Sequence, residues 1–445
     1  MKKIIGFFLL ISLLSACHNR LNIEPEQAIS VDVALSNEQG IRTALVGTYD
    51  LLSQMPTPSG DVILNSELFA DTEDLIWTSY ILQVNQVFNK KIAVSNTAVE
   101  HFWIYSYQTI NQANTVLDAV EVLEEADQDG VAAELRFIRA MVYFDLVNMY
   151  AMPWTAGNPK SNLGVPIIST PAEQTLENPE VPRNTVAEVY QFLINDLLFA
   201  KDNLPEQNSI FANTYAASAL LSRIYLMQEK FDLAATEADR VITSGQYTLL
   251  TDLEQVFNQS ENSTEDIFTI QITPQDGSNR VSYFYSGELE GGGGFIGIRD
   301  EHLAKYETGD LRADLFYIDQ QSSIRRTSKW RFNSTKDGNV TTLRLAEMYL
   351  TRAEGRFRTG NAAGALEDVN IIRNRAGLPS LSDVDLEIIL NERFLELVFE
   401  GHRFRDTKRN RKPFGTLPFD DPGMIYPIPQ REMDVNRALV QNEDY

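Results

Sequence analysis

Three glutamates spaced one helical turn apart, Glu392, Glu396 and Glu400, share a short run with Arg393, Arg403 and Arg405. Like charges at i, i+4 repel each other unless cations sit among them. A guanidinium fork can hold a carboxylate bidentately, so the run reads as an ion network. Glu396 and Glu400 could also imitate the close carboxylate pair of a retaining glycosidase. Arginines beside them on one helix face favour the structural reading. Phe394, Leu397 and Val398 add an apolar stripe at i, i+3, i+4, on a helix expected to stop at Gly401.

Other catalytic chemistry is thinly supplied. The four histidines, His18, His101, His302 and His402, show no metal-ligand spacing such as H-E-x-x-H. There is no G-x-S-x-G elbow and no Walker loop. The run Gly291 to Gly294 lacks a following Lys-Ser/Thr and reads as a flexible loop, not a phosphate cradle. No catalytic residue, metal site or cofactor is expected.

The N-terminus carries an address. Lys2 and Lys3 precede an apolar run from Ile4 to Leu14, too short for a mature membrane span. It ends in Leu14-Ser15-Ala16-Cys17, which looks like a lipobox with cleavage after residue 16 and lipid on Cys17. Cys17 is the single cysteine, so no disulfide forms within the chain and the thiol reads as an attachment point. An ordinary signal peptide with an incidental cysteine is the alternative. Two or more acyl chains make a stable anchor. His18 follows, so the aspartate of an inner-membrane retention signal is absent.

Hydrophobic residues make up 43% of the chain and charged ones 22%, values of a folded protein. The net charge is −24, from 38 basic against 62 acidic residues, and such a surface repels nucleic acid and anionic lipid.

The elements that must position these residues are mostly helical. Three blocks read as helical pairs: Val99 to Tyr150, Thr185 to Ser244 and Leu343 to Ala376. In the first, Phe102, Tyr105, Thr109, Gln112 and Val116 form one stripe, and Leu135, Ile138, Val142, Leu146 and Met149 another. A polar turn at Asp127-Gln128-Asp129-Gly130 is expected between them. Ser222 and Ala234 are twelve residues apart, as are Ala353 and Ala365, a small-residue offset close to that of tetratricopeptide (TPR) repeats. The fold class is therefore mostly α: a TPR-like scaffold over about 99–244 and 343–410, within a single body over 17–445. A loop-rich, partly β lobe is expected over about 50–97 and 245–340, with a strand near Ile267 to Ile272.

The order of motifs resembles the SusD/RagB family of surface lipoproteins. His101 to Asn114, Leu135 to Tyr150, Ala219 to Leu226, Leu345 to Glu354, Arg373 to Leu378, Glu392 to Asp406 and Tyr426 to Tyr445 each resemble a block of that family. Thr407-Lys408, Arg437 and Glu443-Asp444 depart from its usual pattern. The resemblance implies an outer-membrane, cell-surface lipoprotein that binds without catalysing. Its partner would be a SusC-like TonB-dependent barrel, and its cargo an oligosaccharide or, in the alternative, a peptide. Sugar rings stack their C–H faces on aromatic planes flanked by hydrogen-bonding side chains. Trp77, Tyr80, Tyr283, Tyr285, Phe295 and Trp330, in loop-like segments, are the expected ligand contacts, while Trp103 and Trp154 go with the scaffold. A bare TPR adaptor has little reason to carry such aromatic loops.

Overall fold

The computed structural model describes residues 30–53, 58–71, 73–175, 179–273, 278–332, 335 and 338–445. The expected signal segment 1–16 and Cys17 lie outside the described residues.

Helices pack one on the next in an array. In chain order they are α1 (Glu38–Ser53), α2 (Pro58–Ala70), α3 (Leu82–Phe88), α4 (Thr97–Asp118), α5 (Glu125–Tyr150), α6 (Val186–Asn203), α7 (Thr214–Met227) and α8 (Phe231–Thr243). After the lobe, which contributes the short α9 (Arg280–Tyr285), come α10 (Leu345–Arg358), α11 (Ala362–Arg375), α12 (Leu386–Leu397), α13 (Arg403–Arg409) and α14 (Gln430–Val435). α1 packs on α4, α4 on α5, and so on through α8; α8 then meets α10, which carries α11 and α12. Among the described residues no helix is long and apolar enough to cross a membrane.

Local chemistry starts these helices where they start. The Asn96 side chain accepts from the amides of Ala98 and Val99, and Asn213 accepts from Tyr215 and Ala216. Thr185 and Glu188 form a reciprocal capping box at α6. The expected turn at Asp127–Gly130 instead lies inside α5, and the break falls at 119–124. Glu125 and Asp127 occupy the first turn, where the helix dipole favours carboxylates, so an acidic run read as a loop is a helix start.

α5 is the centre of the molecule. Leu135, Ile138, Val142 and Leu146 are fully buried, and Met149 nearly so. Flanked by α4 and α6, α5 is buried on nearly every side from residue 131 onward. On α4 the buried face runs through Val99, Phe102, Ser106, Thr109, Ile110 and Ala113, while Tyr105 and Gln112 stand half out of the core.

The small residues let helices close up. Ala234, Ala353 and Ala365 are fully buried. A Cβ on Gly355 of α10 would stand 2.6 Å from the Phe231 carbonyl oxygen and 2.8 Å from the Ala235 Cβ of α8. Only glycine permits that approach.

Among the described residues six short strands form three two-stranded antiparallel ribbons in the lobe: β1 (Leu75–Trp77) with β3 (Ile296–Ile298), β2 (Asp266–Ile270) with β6 (Val340–Arg344), and β4 (Phe316–Ile318) with β5 (Arg325–Thr327). The β2–β6 pair closes the lobe by joining its two ends, pairing Asp266 with Arg344 and Ile270 with Val340 across a register irregularity at Phe268↔Leu343. The stretch expected as loop-rich, 50–97, holds α2 and α3. Leu64, Leu68 and Phe69 of α2 are fully buried, and a helix buried all round shows no amphipathic period to read.

The C-terminal run departs from its expected shape. α12 ends at Leu397, Phe399 has φ +67° and Gly401 φ +81°, so Glu400 stands beyond the helix. The turn is held against α2: the Gly401 amide donates to Glu67 Oε1 at 2.8 Å. The cations that answer the glutamates come from elsewhere in the chain. Glu392 meets Arg312 at 3.0 Å and Arg373 at 2.7 Å. Glu396 meets Arg344 at 2.7 Å and also Arg375, while Glu400 meets Arg344 and Lys329, each at 2.6 Å. The expected partners go elsewhere, Arg393 to Asp406, Arg403 to Asp74 and Arg405 to Asp145.

Candidate ligand-binding site

The β1–β3 ribbon brings together aromatic residues more than two hundred positions apart. The Asp71 carboxylate accepts from the amides of Asp74 and Leu75, turning the chain into β1. Trp77 then pairs with Ile296, and the Thr78 amide donates to the Phe295 carbonyl at 3.0 Å. On the other side, Asn279 caps α9 by accepting from the Ser282 amide. The run Gly291 to Gly294 folds back onto α9, with Gly293 donating to the Tyr283 carbonyl at 2.7 Å and Phe295 to that of Phe284 at 3.0 Å. Gly291 (φ +84°) and Gly294 (φ +60°) adopt the left-handed conformation that this turn needs. The expected flexible loop is thus a packed turn.

The result is an aromatic cluster. Trp77 and Phe284 stack with ring centroids 6.1 Å apart and 13° between planes; Phe88 stacks on Trp77 at 6.1 Å and 29°. Phe295 meets Phe284 at 5.2 Å and Tyr283 at 5.9 Å, edge to face. The Trp77 indole N–H donates to Asn85 Oδ1, which fixes its rotamer. Trp77 and Phe295 are half-buried, Tyr283 is 38% exposed, and Tyr80 is 90% exposed just beyond the strand. Three of the six expected residues, Trp77, Tyr283 and Phe295, therefore reach solvent on one cluster, and Tyr80 is open three positions beyond Trp77.

The other two do not. Tyr285, fully buried, packs on Phe399 at 5.9 Å, and Trp330, 2% exposed, donates its indole N–H to the Phe399 carbonyl at 2.6 Å. Both belong to the core that seats the C-terminal turn, so neither is open to a ligand. Trp103 is buried and Trp154 packs on Tyr190 at 5.1 Å, in keeping with scaffold roles. Phe88, Phe284 and Asn85 complete the cluster and escaped sequence reading. Phe284 lies inside the Tyr283-Phe284-Tyr285 run, where a helical turn sends neighbouring side chains in different directions.

A charged group stands where the chain enters β1. Asp74 is held well below the usual carboxylate range: burial opposes ionisation, and His302, Arg403 and Lys305 outweigh it. Burial pushes His302 below its ordinary value even with Asp74 at 3.2 Å. Among the described residues no group of three His, Cys, Asp or Glu side chains is arranged to hold a metal ion.

The carboxylate pair is poorly suited to catalysis. Burial alone would raise Glu396, but Arg375, Arg344 and Arg312 hold it well below its ordinary value. Glu400 is likewise lowered by Arg344 and Lys329 against the effect of burial. A general acid must hold a proton near neutral pH, and these groups stay ionised.

Comparison with known proteins agrees with this architecture. Residues 21–226 match a family model described as "Starch-binding associating with outer membrane", and residues 316–421 match the SusD family model. SusD-like protein P38 of Formosa agariphila is 25% identical, over 99% of this chain and 98% of its own length. The starch-binding protein SusD of Bacteroides thetaiotaomicron is 23% identical, over 84% of each chain. The crystal structure of a SusD superfamily protein from Bacteroides vulgatus superposes with a TM-score of 0.81 at 25% identity, covering 92% of this chain and 99% of that one. With the helical array, the closing ribbons and the two model matches in hand, the chain belongs to the SusD/RagB family.

Proposed function

We propose that this protein captures a nutrient oligosaccharide at the cell surface, tethered to the outer membrane by lipid on Cys17, and passes it to a SusC-like TonB-dependent barrel. The observation that carries the reading is the solvent-reaching aromatic cluster of Trp77, Tyr283 and Phe295. Rings already ordered by packing lose little entropy on binding, and their solvent-facing parts suit the C–H surface of a pyranose. The family description and the names of the relatives favour a glycan over other cargo. The paired, ionised state of Glu396 and Glu400 favours binding without cleavage.

The test is an array of immobilised glycans and peptides probed with the chain lacking residues 1–16, followed by product analysis of any binder. An oligosaccharide should bind and remain uncleaved, and Trp77→Ala should weaken that binding at least tenfold. Shortened products would overturn the binding-only reading, and peptide binding without glycan binding would replace the cargo. In cells, Cys17→Ser should release the protein from the membrane fraction, and the barrel should co-purify with the wild type.

A further inference from the structure

The scaffold carries a second concavity, outside the aromatic cluster. One face of α4, residues 166–172, 179 and 181, and the chain around α14 line an open groove of about 790 Å³. That volume lies in the range of small-molecule sites, ~300–1,000 Å³.

Its floor is aromatic and fixed. Tyr107 donates its hydroxyl to the Pro166 carbonyl at 2.8 Å, and its ring lies 5.0 Å from that of Trp103. Trp103 is itself buried, and its ring meets that of Tyr150 edge to face at 4.9 Å. Above this floor stands a row of amides on α4. Gln108 and Gln112, one helical turn apart, line the groove, and their side chains make no hydrogen bond among the described residues. Asn111 between them accepts from the Ala172 amide at 2.7 Å, and its NH2 group donates to nothing among the described residues. Gln108 is exposed and Gln112 half-buried, so both amides face the water that fills the groove and are free to exchange it for a ligand. The charges in the lining, Arg431 and Glu432, cancel, in a chain whose net charge is −24.

We propose that this groove is a second binding site for a neutral oligosaccharide. An apolar protein surface laid here would bury three amides without partners, at a cost. Sugar hydroxyls both donate and accept, as primary amides do, and their ring faces suit Tyr107. A charged ligand would find no net counter-charge. The proposal rests on the capture reading above, and extends it from one site to two.

Calorimetric titration of the wild type with maltoheptaose, xylohexaose, mannohexaose and laminarihexaose gives the number of sites. The same titrations are run on Gln108→Leu/Gln112→Leu and on Trp77→Ala, with thermal melts to confirm that each variant is folded. The expected result is two sites for at least one probe, with one site weakened at least tenfold in the double variant and the other in Trp77→Ala. If a probe binds and the double variant keeps wild-type affinity and site number, the groove proposal is overturned while capture stands. If only the double variant loses binding, the groove stands and the Trp77 cluster loses its role. If none of the probes binds the wild type, both readings fail for neutral oligosaccharides.

Discussion

Trp330 and Phe399, 69 positions apart, are joined by an indole-to-carbonyl hydrogen bond of 2.6 Å. Phe399 has φ +67°, a conformation that a bulky side chain rarely adopts. The bond comes from the lobe and pins the turn at which α12 ends, and Tyr285 packs on the same ring. Residues of the lobe and of the C-terminal run thus share one core.

Replacing Trp330 should therefore act on stability. Trp330→Ala is expected to cost about 3–5 kcal/mol from the lost volume and an unmet carbonyl, and Trp330→Phe about 1–2 kcal/mol. Denaturant unfolding measures this. Glycan affinity per folded molecule should stay within about twofold of wild type, and a large affinity loss with unchanged stability would reassign Trp330 to the site.

Arg344 holds Glu265, Glu396 and Glu400 together at 2.6–2.9 Å, and its charge is fully enclosed. Arg344→Met leaves three carboxylates facing one another with less compensation. Breaking a buried ion network from one side costs about 3–5 kcal/mol, so the variant should melt well below the wild type. A loss under about 1 kcal/mol would mean that Arg375 and Lys329 suffice.

Glu67 gives the fold a pH dependence of stated sign. Burial pushes its carboxyl up to about 7, and Arg403 and the Gly401 amide only partly offset this. The folded state therefore binds this proton more tightly than the unfolded chain, whose value is 4.5. Its stabilising contribution is full below 4.5 and is lost as pH rises through about 7. Glu67→Gln keeps an oxygen for the Gly401 amide and carries no charge. The variant should match wild type at pH 5 and exceed it at pH 8.5, by on the order of 1–3 kcal/mol. Equal melting curves at pH 8.5 would refute the assignment.

Gly355 tests the close approach of α8 and α10. Gly355→Val forces two extra methyls and a Cβ against the Phe231 carbonyl and Ala235, and overpacking of this kind costs about 1–3 kcal/mol or more. A far-ultraviolet melt should show the drop. If the variant is as stable as wild type, the helices can separate without loss.

Much of the scaffold was legible because its signals are local. Leu135, Ile138, Val142 and Leu146 repeat at helical spacing, and each is fully buried. Ala353, Ala365 and Ala234 are small where helices touch, and their spacing announces it. The candidate site was legible only by half. Trp77 and Trp330 sit in similar irregular, polar surroundings in sequence, yet one is half-open and the other is core. Irregular segments have no period, so what covers a ring there depends on chain that arrives from far away. Gln112 reads in sequence only as a member of the α4 stripe, and Gln108 carries no signal, since the walls of their groove come from residues 166–172, 179 and 181 and from α14.

By itself the sequence determined the helical pairs, the family and the set of ionisable groups at the C-terminal run. These follow from spacing along a helix and from side-chain size, which are properties of neighbours. Only the tertiary structure decided which cations answer which carboxylates: Glu396 takes Arg344, 52 positions away, and leaves Arg403 to Asp74. It also decided which aromatic rings face solvent. Both depend on contacts between distant segments, and a buried charge or ring is assigned its role by the surface that closes over it.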